Sequence, residues 1–243
     1  FRAPTDNDGI KLWKNQDAKP LGQWLKNNLH KLKLKSVQTS VSEKDGSITV
    51  NLEKLFDNKL GDTVKFIQHI TVNPNGRMDF IQEYFIPENF PSLPRIGVTA
   101  NTDVKFENFE YYGRGPHENY TDRCRSAQIG IYQSDVRSNF EKNYIVPQEN
   151  GNRTNVRYLK LFSADSTLKI SSATPFEFGI SRYTINDLFK AKHPSELEER
   201  PYAVLTLDLA QRGLGSGSCG PQTLSEYELN EKYYKFDFTL EFL

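Results

Sequence analysis

An antiparallel β-sandwich is the fold class predicted by this 243-residue chain, on three observations. Apolar and polar residues alternate at period two in several segments, short turn-forming sequences join those segments, and the strand–helix alternation of a parallel sheet is missing. In chain order, the first element is a short helix. Pro20 suits a first helical turn, and Leu21, Trp24, Leu25, Leu29 and Leu32 follow at helical spacing. Ile48, Val50 and Leu52 alternate after Asp45-Gly46, a strong hairpin signal. Val64, Phe66, Ile70 and Val72 run into Asn73-Pro74-Asn75-Gly76, and the chain returns through Met78, Phe80 and Tyr84 as a second hairpin. Leu159 and Leu161, then Leu168 and Ile170, flank Ala164-Asp165-Ser166 as a third. Thr184 with Asp187 caps a second short helix through Ile185, Leu188 and Phe189, which Pro194 stops. Val204 to Leu209 reads as a strand. At the end, Tyr234, Phe236, Phe238, Leu240 and Phe242 alternate with Lys235, Asp237, Thr239 and Glu241, a strand with one buried and one wet face. Without repeats or a Pro/Gly/Ser-rich linker, residues 1–243 are expected to form one domain.

Composition excludes several classes. Thirty-one Lys+Arg balance 31 Asp+Glu, which argues against a nucleic-acid partner. At 37% hydrophobic and 12% aromatic the chain is too apolar to be disordered. It has no run of the ~18 apolar residues that a membrane-spanning helix needs. FRAPTDND reads as neither a signal peptide nor an initiating sequence, so a longer parent chain is expected. Cys124 and Cys219 are too few for a disulfide framework and too far apart for a zinc knuckle. Two glycosylation triplets, Asn119-Tyr-Thr121 and Asn152-Arg-Thr154, are of a kind common by chance.

Four stretches dense in Gly, Pro, Asn and charge read as loops, and loops of this kind often carry function. They are Phe1 to Asp8, Tyr112 to Arg123, Pro147 to Arg153 and Gly213 to Pro221. The last contains Gly215-x-Gly217-x-x-Gly220, a formal match to the dinucleotide fingerprint. Pro221 and a polar stretch follow where a helix must present its N-terminus, so the glycines read instead as a tight β-loop. Arg114, His117, Glu118, Asn119, Asp122 and Arg123 admit two readings: acid/base and hydroxyl recognition of a sugar, or mutual bonding that stiffens a loop. Glu149, Asn150 and Arg153 divide the same way, and Asp6, Asn7 and Asp8 read first as turn-capping groups. His30 and His69 read as structural. No spacing resembles a metal site, and no nucleophile elbow or reactive-thiol context is present. Gly9 to Lys19 lacks apolar periodicity and reads as a loop leading to the first helix.

Together these loops resemble one family. Arg2-Ala-Pro-Thr-Asp-Asn-Asp8 is similar to the opening motif of the C-terminal domain of bacterial β-galactosidases of glycoside hydrolase family 2. Tyr112-Gly-Arg-Gly-Pro-His-Glu-Asn-Tyr-Thr-Asp-Arg123 resembles that domain's signature. Pro147-Gln-Glu-Asn-Gly151, Ser181-Arg-Tyr183, His193-Pro194-x-Glu196-Leu197 and Leu207-Asp-Leu209 with Gly213-x-Gly215 follow in the family's order. The resemblance implies an all-β, large antiparallel supersandwich of the galactose-mutarotase-like type with two short helices. It implies part of an enzyme that hydrolyses terminal β-galactosides with retention, a reaction needing two carboxyl groups about 5 Å apart. In the family both stand on a preceding TIM barrel, as do most ligands of the active-site magnesium and sodium ions, so this segment is assigned neither catalytic residues nor metal ligands. The implied partners are the galactoside and that barrel; the oligomeric state stays open. The resemblance makes the segment a wall of the active site, with Asp6, Asn7, Asp8, Ser218 and Cys219 on the rim. Arg114, His117, Glu118, Asn119, Glu149, Asn150 and Arg153 are weaker candidates. The sequence departs from the family's best-known branch at Cys219, where a sugar-stacking aromatic is expected.

Two other classes compete. An aldose mutarotase would need a Glu base and a His acid, for which His117 and Glu149 are the nominees. A carbohydrate-binding or purely architectural module would need no catalytic group.

Overall fold

The computed structural model describes residues 1–243. Its eleven strands are β1 (Lys33–Lys44), β2 (Ser47–Asp57), β3 (Thr63–Val72), β4 (Met78–Phe85), β5 (Arg95–Thr102), β6 (Asn108–Gly115), β7 (Gln128–Asp135), β8 (Arg153–Phe162), β9 (Thr167–Ser181), β10 (Ala203–Gln211) and β11 (Tyr233–Phe242). The helices are α1 (Pro20–Lys26) and α2 (Ile185–Lys190). All pairings are antiparallel, in the order β1-β2-β3-β4-β11-β9-β8-β6-β7, with β10 branching from β9 and carrying β5.

The branch makes two layers. The first part of β9, Leu168 to Ser171, pairs with β11, and its last part, Glu177 to Ser181, pairs with β10. The β10–β5 pair therefore lies over β3, β4 and β11: Phe66, Phe80 and Phe238 from one side and Val98, Leu205 and Leu207 from the other line one cavity. The predicted alternation of β11 holds over its first half, with Tyr234, Phe236 and Phe238 buried and Lys235 and Asp237 exposed; it lapses at the end, where Leu240 is half-buried and Phe242, expected inside, is 62% exposed. Each such buried aromatic contributes about 1.5–3 kcal/mol. Phe238 stands opposite Phe80 in register, their rings stacked at 4.7 Å between centroids.

All three predicted hairpins form. Asp45 and Gly46 both have positive φ, 52° and 76°, as a two-residue hairpin turn requires. Thr184 and Asp187 form the expected reciprocal cap of α2, and Pro194 opens a separate 3-10 turn.

Two expectations need correction. The first helix ends at Lys26 rather than running to Leu32. Asn28 takes the left-handed conformation, its amide donates to the Asn58 carbonyl at 3.1 Å, and Leu29–Lys31 then form a 3-10 turn. A tertiary anchor thus overrides a helical hydrophobic period. Tyr112 to Gly115, read as loop, are the end of β6, paired with both β7 and β8 at Tyr112. Their glycine content hid a strand whose stability comes from its two neighbours.

Candidate functional site

The loops that read as one family signature meet at one end of the sandwich, and most of their polar groups bond one another. Arg2 is fully buried. Its guanidinium pairs with Asp8 at 2.7 Å and donates to the Arg212 carbonyl at 2.6 Å. Asp8 also accepts from the Thr5 amide and hydroxyl at 2.9 and 3.1 Å, closing the turn of the opening motif. Arg212 approaches the same carboxylate at 3.8 Å and is paired with Glu228 at 2.9 Å.

Asp122 ties the second motif to the glycine-rich loop, accepting from the Leu214 amide (3.0 Å), the Gly215 amide (2.7 Å) and the Thr223 hydroxyl (3.0 Å). The glycines are required by close approach. A Cβ on Gly215, at φ 62°, would stand 2.4 Å from the Thr223 nitrogen, and one on Gly217 would stand 2.6 Å from the Asn7 carbonyl. No α-helix follows this loop, only a 3-10 turn at Ser225–Tyr227, in keeping with its reading as a β-loop.

The weaker candidates have defined partners. Asn119 is buried, donates to the Arg114 and His117 carbonyls and accepts from the Thr154 amide and hydroxyl. Glu118 accepts from Arg123, from the Tyr144 hydroxyl at 2.6 Å and from the Gly151 amide at 2.8 Å. Arg153 is buried and donates to the Tyr111 hydroxyl at 3.0 Å and the Gly151 carbonyl. Arg114 donates to the Ala127 carbonyl at 2.9 Å. Asn150 bridges the Gln148 carbonyl and the Glu141 amide. Glu149 is buried, its amide on the Ala3 carbonyl. His117 is exposed and bonds Ser126 at 3.0 Å. The His117–Glu149 pair nominated for mutarotation therefore stands in two environments, one wet and one buried.

Beneath the loops lies a carboxyl cluster that joins the candidate Glu149 to Glu177 and Asp208, a grouping that no sequence spacing announces. Burial pushes Glu177 up to about 8, Glu149 to about 7 and Asp208 to about 6. Counteracting this, Asn152 donates to Glu177 at 2.7 Å, and Arg95 pairs with Asp208 at 2.6 Å and draws Glu149 down at longer range. Gln211 joins Asn152 to Asp208. These groups are placed to stiffen the junction of β8, β9 and β10.

What stays open to solvent is the rim. Asn7 donates to the Gly215 carbonyl at 2.8 Å and accepts from the Ser218 amide and hydroxyl at 3.2 and 2.8 Å. Asp6 is half-buried against Gln148, and Ser218 and Cys219 are exposed. Asp8, sequence-predicted for the rim, is instead fully buried, because its carboxylate is the counter-ion of Arg2. Cys124 and Cys219 are both free. A cleft of about 230 Å³ opens between the Gly9 to Lys19 loop and the glycine-rich loop, with Asp6, Trp13, Lys14, Asn15, Lys19 and Ser218 on its walls. Trp13 and Lys19 were missed by pattern reading; the available signal was a tryptophan inside a loop without apolar periodicity. No group of three or more His, Cys, Asp or Glu side chains is arranged to hold a metal ion.

The signature loops of this antiparallel sandwich thus bond one another and leave a polar cleft at the rim. The chain belongs to the β-galactosidase small-chain family, whose model matches residues 1–240. It is 30% identical over 244 residues to a β-galactosidase of Actinobacillus pleuropneumoniae, 32% over 251 to one of Halalkalibacterium halodurans and 31% over 256 to one of Kluyveromyces lactis. Each comparison covers 100% of this chain but 23% of the relative, so the chain spans about a quarter of the length of these proteins. Among solved structures it is similar to a GalM/aldose epimerase homologue from C. elegans, at 12% identity and a TM-score of 0.43 over 84% of this chain and 68% of that one.

Proposed function

We propose that this chain is the domain of a β-galactosidase that forms one wall of the galactoside site, without supplying the catalytic carboxyl pair. The nucleophile and the acid/base group stand on a TIM-barrel domain of the same polypeptide, together with the magnesium and sodium sites. One observation carries the reading. The signature polar groups are bonded to one another, and Asn7 locks the opening motif to the Ser218 loop, so that a single stiff rim faces outward. A rigid rim is what a substrate wall requires, because groups ordered before binding lose little entropy on contact. That the named relatives align with this chain along only 23% of their length supports a division of labour among domains. The test compares hydrolysis of a nitrophenyl β-galactoside by the full-length protein and by residues 1–243 alone. Turnover by the full-length protein with none by the chain is expected. Enzyme-like turnover by the chain alone would overturn the assignment.

A further inference from the structure

We infer that Trp13 is the sugar-stacking platform of this domain, and that the cleft beside it takes a pyranose ring. This rests on the galactoside reading above and names the residue that supplies a flat apolar face beside the rim. Of the two tryptophans, Trp24 is buried and donates to the Ser92 carbonyl, whereas Trp13 is 68% exposed. Its loop is pinned on both sides of it. The Lys11 ammonium donates to the carbonyls of Pro147, Leu188 and Ala191, each at 2.6 Å, and Lys19 donates to the Gly217 carbonyl. Between these anchors the Trp13 amide closes a turn on Ile10, which Gln16 also bonds. The indole is therefore held out by a braced turn.

The rest of the cleft suits hydroxyl groups. Lys14 and Asn15 make no side-chain hydrogen bond within the chain, while Asp6 and Ser218 bring acceptors to the opposite wall. Donors and acceptors around one aromatic face match the C–H face and hydroxyl edge of a pyranose. At about 230 Å³ the space is of the order of one ring.

The test uses the full-length protein. Trp13→Ala is expected to raise KM for lactose about tenfold or more, as removal of an aromatic anchor does, with Trp13→Phe recovering part of the loss. In parallel, fluorine NMR of fluorotryptophan-labelled protein follows the Trp13 resonance, assigned by its disappearance in Trp13→Phe, during titration with galactose and with lactose. A saturable shift is expected. A KM within twofold of the parent protein's, or a Trp13 resonance that does not move with either sugar, overturns the inference. If the unsubstituted protein hydrolyses no β-galactoside, the galactosidase reading fails, and the NMR titration alone decides whether Trp13 binds sugar.

Discussion

Asp8→Asn separates a structural from a substrate-facing role for the opening motif. Asp8 accepts from the Arg2 guanidinium at 2.7 and 3.2 Å, from the Thr5 amide at 2.9 Å and from the Thr5 hydroxyl at 3.1 Å. Arg212 lies a further 3.8 Å away, and the side chains of Arg2 and Asp8 are wholly out of solvent. An asparagine keeps the volume but removes the negative charge and turns an NH2 toward donors. Breaking one side of a buried ion pair costs about 3–5 kcal/mol. At about 2–4 °C per kcal/mol for a chain of this size, melting should fall by about 6–20 °C. Thermal unfolding by circular dichroism measures this directly. An Arg2→Met/Asp8→Asn double variant should lose less than the sum of the two single changes, since no unpaired guanidinium then remains at position 2. A melting temperature within about 2 °C of the parent, with weakened galactoside binding, would refute the reasoning and return Asp8 to the rim.

Further outcomes follow from the same network. Glu177 and Glu149 titrate at about 8 and about 7 when folded, against an ordinary 4.5, so the folded state holds protons that the unfolded state releases. Stability is then complete below about pH 4.5 as far as these groups act, and falls by a few kcal/mol as pH rises toward 8. Urea titrations across that range should show the decline, with a shallower slope in Glu177→Gln; a flat profile contradicts it. Asp122→Ala frees two backbone amides and a hydroxyl in the glycine-rich loop. It should cost about 1–3 kcal/mol and raise KM for galactosides, read from melting and from full-length kinetics. Exposed Cys219 should react with a thiol reagent in the native state well before Cys124, which is half-buried and bonded to the Thr121 carbonyl. Equal rates would mean that the Cys124 loop opens freely.

The elements legible in the sequence are those held by local rules. The first half of the β11 alternation, the Asp45-Gly46 turn and the Thr184/Asp187 cap all depend on residues within a few positions of one another, and all three form. Strands β5, β6 and β7 went unread because their sequences mix Gly, Asn and charge with few apolar positions; β10 holds β5, β8 holds β6, and β7 is carried in turn by β6. For the same reason the helix through Trp24 stops early: Asn28 answers to Asn58, which lies 30 positions away.

The functional loops divide along the same line. Composition, patterning and ordered motifs were enough to name an antiparallel sandwich of the β-galactosidase small-chain family, because those signals lie in contiguous residues. They placed Asp6, Asn7, Asp8, Ser218 and Cys219 together but did not say which of them face inward. That followed from contacts across 208 or more positions: Arg2 reaching the Arg212 carbonyl buries Asp8, and Asn7 reaching Gly215 and Ser218 makes a rim. Trp13 acquires a meaning only once the two loops stand opposite each other across a cleft. Charge pairing and burial depend on where the chain closes on itself in three dimensions, and spacing along the sequence carries no record of it.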